Sequence, residues 1–82
     1  MKENWLLQVA EEAFIVLVHV YEPDGTFRRE EYLVACLTRE AAEERIRSMF
    51  SAGAEINVFA SPLGHSETVA LGLLANEIRQ RQ

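Results

Sequence analysis

Apolar residues run almost unbroken from Ala13 to Tyr21 (AFIVLVHVY), with His19 the one polar member. β-Branched and aromatic types dominate the run, which predicts a strand that is apolar on both faces. Phe14, Val16, Val18 and Val20 then point one way, and Ile15, Leu17, His19 and Tyr21 the other. Glu22-Pro23-Asp24-Gly25 is a turn with a mechanism: Pro23 presets φ, Asp24 tolerates the second central position and Gly25 accepts positive φ. A second strand follows over about Phe27–Leu37, charged at its start (Arg28 to Glu31) and apolar at its end. The two strands form an antiparallel hairpin.

Periodicity changes after Leu37. Thr38 reads as a helix N-cap with Glu40 in the first turn, and Ala42, Ile46, Met49 and Phe50 form one apolar stripe. Arg39–Glu43 and Glu43–Arg47 are solvent-side pairs four residues apart, and Gly53 is the stop. Ala54–Ala60 predicts another strand and Ser61–His65 a loop. Ser66 is read as the cap of a last helix reaching about Arg79, with Leu71, Leu74 and Ile78 as its stripe and Ala70 and Leu73 widening it. Residues 2–12 fit two periods, and we read them as a short edge strand with a bend at Ala10–Glu12.

The predicted fold is therefore α+β, in the order (β)ββαβα. Three or four strands form a mainly antiparallel sheet, and two helices pack on one of its faces. The step from the second to the third strand is expected to be a right-handed crossover between parallel strands. The opposite face is left apolar, so Ile15, Leu17, His19 and Tyr21 are expected to meet a second copy or another partner.

A chain of 82 residues fits one domain, residues 1–82, with no internal repeat or linker. A domain near this size buries only about 60% of the surface its unfolded chain exposes, so association would help it. Net charge is −5, and it is unevenly spread. Residues 1–31 carry seven acids against three bases, and the remainder carries six against five. With eight bases in no stripe, direct nucleic-acid binding is not expected, and an acidic chain suits a protein partner with a basic surface. Glu11, Glu12, Glu22, Asp24, Glu30 and Glu31 are the candidate binding acids.

A single cysteine, Cys36, makes no intramolecular disulfide, which fits a reducing compartment. The apolar run is too short for a membrane span and follows two acids rather than bases, so a cytoplasmic location is expected. For a phage-encoded chain this is the host cytoplasm.

The chemistry-bearing residues form no recognised pattern. Gly64-His65-Ser66-Glu67 begins like a nucleophile elbow, but Thr68 stands where the second glycine belongs. Cys36, His19 and His65 match no zinc spacing. Glu11-Glu12 and Glu30-Glu31 are adjacent on strand-like segments and so point apart. The Pro62–His65 loop has one glycine and no adjacent base to hold an anion. We therefore expect no enzyme activity, no cofactor and no metal. A composite site at a dimer interface using His19, His65 or Cys36 is the enzymatic alternative.

Val20-Tyr21-Glu22 with Gly25 at the hairpin, and Asn76-Glu77-Ile78 near the end, accompany small size, acidity and a sheet backed by two helices. In these respects the chain resembles the anti-CRISPR inhibitors of bacteriophages. The resemblance implies a non-catalytic inhibitor that binds a CRISPR effector and blocks nucleic-acid access or cleavage, and it assigns no individual residue. The alternative is a small cytoplasmic homodimeric regulatory or structural subunit.

Overall fold

The computed structural model describes residues 8–50 and 53–81. Its elements are β1 (Ala13–Tyr21), β2 (Phe27–Ala35), α1 (Arg39–Arg47), β3 (Glu55–Val58), α2 (His65–Leu71) and β4 (Ile78–Arg81). The strands form one antiparallel sheet in the order β3-β1-β2-β4. The α+β class and the hairpin follow the hydrophobic pattern directly. The hairpin turn is closed by Asp24, whose carboxylate accepts from the backbone N–H and the hydroxyl of Thr26. Gly25 takes φ +92°, which a side chain would disfavour.

Register fixes the faces. Ala13 pairs with Ala35, Val16 with Val58 and Leu33 with Arg79. Even-numbered residues thus share one face across all four strands, and odd-numbered residues share the other. The even face is the main core. Phe14, Val16, Val18, Tyr32 and Val34 pack beneath Ala42 and Ile46 of α1, with Phe50, Ile56, Val58 and Ile78 around them. Thr38 accepts from the N–H of Ala41 and caps α1, as the sequence predicts.

The hydrophobic pattern misplaces four features. The two helices do not share a face: α1 covers the even face, whereas the segment carrying α2 lies against the odd one. There Ala10, Leu63 and Leu73 close over Ala13, Ile15, Leu33 and Ala35. Second, β3 pairs with β1 and not with β2. Strands β2 and β3 do run parallel, as expected, but β1 lies between them.

Third, the last helix does not reach Arg79. Gly72 adopts the left-handed conformation at φ +64° and ends α2. Asn76 turns the chain again at φ +66°, and residues 78–81 add a fourth strand. Leu73 and Ile78, assigned to one helical stripe, enter different cores on opposite faces. The cap of α2 is Gly64, not Ser66, and the Glu67 carboxylate accepts from the Gly64 N–H at 2.9 Å.

Fourth, α1 is shorter than its pattern. It ends at Arg47, well before Gly53, and Met49 is exposed. Arg39 does not pair with Glu43; its guanidinium donates to the Val58 carbonyl at 3.0 Å and ties α1 to β3. Glu43 pairs with Arg47 as expected. Of the first twelve residues, 8–12 are described. Val9 forms an antiparallel bridge to Leu74, and Ala10 is buried. The edge-strand reading of residues 2–7 lies outside the described residues.

Among the described residues, no helix is long and apolar enough to cross a membrane.

Candidate functional surface

Covering only part of the odd face divides it in two. The end near Ala13 is sealed by Ala10, Leu63 and Leu73. The hairpin end is open and carries three rows set by register: Leu17 with Glu31, Asn57 and Arg81, His19 with Arg29 and Glu55, and Tyr21 with Phe27. The expected continuous apolar face is therefore half sealed and half mixed, with charge in two of its three open rows.

Tyr21 and Phe27 are each 58% exposed, unusual for rings on adjoining sheet positions. Their centroids lie 5.8 Å apart, and His19 meets Phe27 edge-on at the same distance. Glu55 gathers the group from the β3 side. The Tyr21 hydroxyl donates to Glu55 Oε1 at 3.4 Å. His19 Nδ1 lies 3.4 Å from the same oxygen, yet its angle makes no hydrogen bond. Beside them, Arg29 is exposed and has no ion-pair partner among the described residues.

The six candidate acids do not form one surface. Glu11 and Glu12 precede β1, whereas Glu22 and Asp24 follow it, a separation of about 30 Å along an extended strand. Glu30 lies on the even face and Glu31 on the odd. Four of the six are engaged within the chain. Glu22 and Glu30 both pair with Arg28, Glu31 pairs with Arg81 at 3.0 Å, and Asp24 closes the turn. The Arg28 bond is the leading reason that the Glu30 carboxyl sits below the usual carboxylate range. For Asp24 the leading reason is the Thr26 hydroxyl.

A cleft of about 500 Å³ lies at the opposite end of the sheet, and its lining includes Glu11, Glu12, Cys36, Leu37, His65 and Asn76. It brings Cys36 and His65 into one wall, which sequence spacing did not suggest, and leaves His19 far away on the open rows. His65 Nδ1 is 3.1 Å from the Ala10 carbonyl and 3.8 Å from Glu11 Oε1. The Cys36 thiol donates to the Thr38 carbonyl at 3.3 Å. Burial pushes its pKa up. An activated thiolate needs the opposite shift. Ser66 is exposed in the first turn of α2 and Thr68 spends its hydroxyl on the Ala10 and His65 carbonyls. Among the described residues, no three His, Cys, Asp or Glu side chains are grouped to hold a metal.

Comparison with protein-family models, curated proteins and solved structures found no match to this chain.

Proposed function

We propose that this chain is a non-catalytic protein-binding domain whose contact surface is the open half of the odd face. One observation carries the reading: Tyr21 and Phe27 stand exposed beside His19 at the hairpin end, next to a region the fold itself seals. Aromatic side chains bury roughly 150–250 Å² each and serve as anchors at protein interfaces. Strand pairing on both sides of β1 holds the Leu17 and His19 rows in place, and the β1–β2 pairing sets Tyr21 opposite Phe27, so little order is lost on docking.

Inhibition of a CRISPR effector is the form this function takes if the resemblance in size and acidity is meaningful. In that form the aromatic rows supply the contact, because four of the six acids are already committed inside the chain.

The test is affinity capture with the wild-type chain and a Tyr21→Ser/Phe27→Ser variant of matched circular dichroism. Proteins retained by the wild type and lost by the variant support the reading. Identical retention by both chains removes it.

A second reading, a homodimeric subunit, is favoured by the mixed charge of the same rows.

A further inference from the structure

Resting on that binding face, we infer that its occupant is a second copy of this chain, related by a two-fold axis that crosses the strands between the Leu17 and His19 rows.

The shape comes from α2. Its N-terminal side follows Leu63, which bridges Ala13 on the same side of β1 as β3. At its other end, Arg79 of β4 donates to the carbonyls of Leu71 and Gly72. The helix therefore crosses the width of the odd face and stands on it as a step, with the open rows as a recess beside it. A helix is about 10 Å across, close to the spacing of two sheets packed face to face. Two copies aligned with their strands in the same direction would bring one step onto the other and hold the recesses apart. Two copies aligned in opposite directions place each step beyond the open rows of the other.

Charge selects the same arrangement. Reversal about that axis sets the His19 row of one copy over the Leu17 row of the second. Arg29, without an ion-pair partner among the described residues, then meets Glu31 of the second copy, which would be shared with the Arg81 that already pairs with it at 3.0 Å, and Glu55 meets its Asn57. Tyr21 and Phe27 reach the step, where Ala70 and Leu71 are exposed. Each of these contacts occurs twice, as an isologous interface requires.

Sedimentation velocity of the purified full-length chain over a concentration series tests the inference. A concentration-dependent dimer is expected, and a strict monomer at every concentration overturns it. Arg29→Glu and Glu31→Arg should each weaken the dimer roughly tenfold or more, and mixing the two variants should restore it, because both contacts of the mixed pair regain opposite charges. Restoration by Glu55→Arg instead of Glu31→Arg overturns the arrangement.

A second measurement does not depend on the charge variants folding. In a Cys36→Ser background, Leu17→Cys mixed with His19→Cys should give a heterodimeric adduct with a short bis-maleimide, and its absence overturns the inference. A monomeric wild type that still loses captured proteins through Tyr21→Ser/Phe27→Ser leaves the binding reading standing with a different occupant.

Discussion

The guanidinium of Arg79 donates to the carbonyl of Leu71 at 2.7 Å, so the last strand holds the C-terminal end of a helix on the face above it. The same side chain reaches the Gly72 carbonyl at 3.1 Å, and Glu77 clamps it through Nε and Nη2. A cation at this end also answers the negative end of the helix dipole. Because Arg79 is about one-third exposed, solvent screens part of the effect. We expect Arg79→Met to cost about 1–2 kcal/mol in urea unfolding. Amide exchange should accelerate in α2 before it does in β1. Equal acceleration in both elements would mean that Arg79 does not act on the helix locally.

Gly72 offers a test by sign. Inside a continuous helix, Gly72→Ala would stabilise the chain by about 1 kcal/mol. At φ +64° the same substitution should destabilise by about 1 kcal/mol. A methyl group there would meet nothing within 4 Å, so the change reports backbone conformation alone. A rise in the denaturation midpoint would contradict the helix end described here.

The two serine and threonine positions that resembled caps should separate. Thr38→Ala removes the hydroxyl that accepts from Ala41 and should cost about 1 kcal/mol. Ser66 is exposed and lies inside α2, so Ser66→Ala should fall within about 0.5 kcal/mol of the wild type. Equal losses at both sites would restore Ser66 as the cap.

These outcomes also show which parts of the fold were legible. The hairpin and α1 announce themselves through local chemistry: β-branched runs, Pro23-Asp24-Gly25, and Thr38 ahead of Ala42 and Ile46. The end of the chain does not. Leu71, Leu74 and Ile78 keep helical spacing, and nothing in that spacing reveals that Gly72 and Asn76 both turn left-handed. Propensity lost there to tertiary pairing, since Ile78–Arg81 gains a ladder along Glu31–Val34. The same displacement hid the seal on the odd face, because Leu73 reaches it from an extended segment. The candidate surface was half legible: Leu17, His19 and Tyr21 share the open face as alternation predicts, Ile15 lies under the seal, and Arg29, Glu55 and Phe27 became visible only through cross-strand register.

Cys36 should be a slow thiol. Burial raises its pKa, so less thiolate is present at neutral pH than for a free cysteine. Iodoacetamide labelling of the native chain should therefore lag behind labelling in urea, beyond the effect of urea on a model thiol. Native labelling as fast as the unfolded chain would show the cleft to activate the residue.

Acid should unlock the clamp on Arg79. Arg79 is the leading reason that the Glu77 carboxyl lies below its ordinary 4.5, and the Leu74 N–H, bonded at 2.8 Å, is the next. A depressed folded-state value means the unfolded chain binds more protons in the interval between the two. The stabilisation is then complete above about 4.5 and is lost as pH falls through the lower folded value. Glu77→Gln should flatten this acid limb in urea midpoints measured against pH. An unchanged limb would assign it to other carboxylates, Glu30 with Arg28 first among them.

Alkali should act from the opposite face. Tyr32 is buried in the even-face core, and burial first, then its 2.6 Å hydrogen bond to Glu30, pushes its pKa from 10.0 up to about 12. Here the folded state retains the proton longer than the unfolded state, so stability falls as pH climbs between those two values. Two pH units correspond to about 2–3 kcal/mol for a group this well buried. Tyr32→Phe cannot ionise. It should be weaker than the wild type below pH 10, by about 1 kcal/mol for the lost hydrogen bond, and should overtake it at about pH 11. Parallel stability curves for the two proteins across that interval would show that the Tyr32 hydroxyl is not held in the core as described.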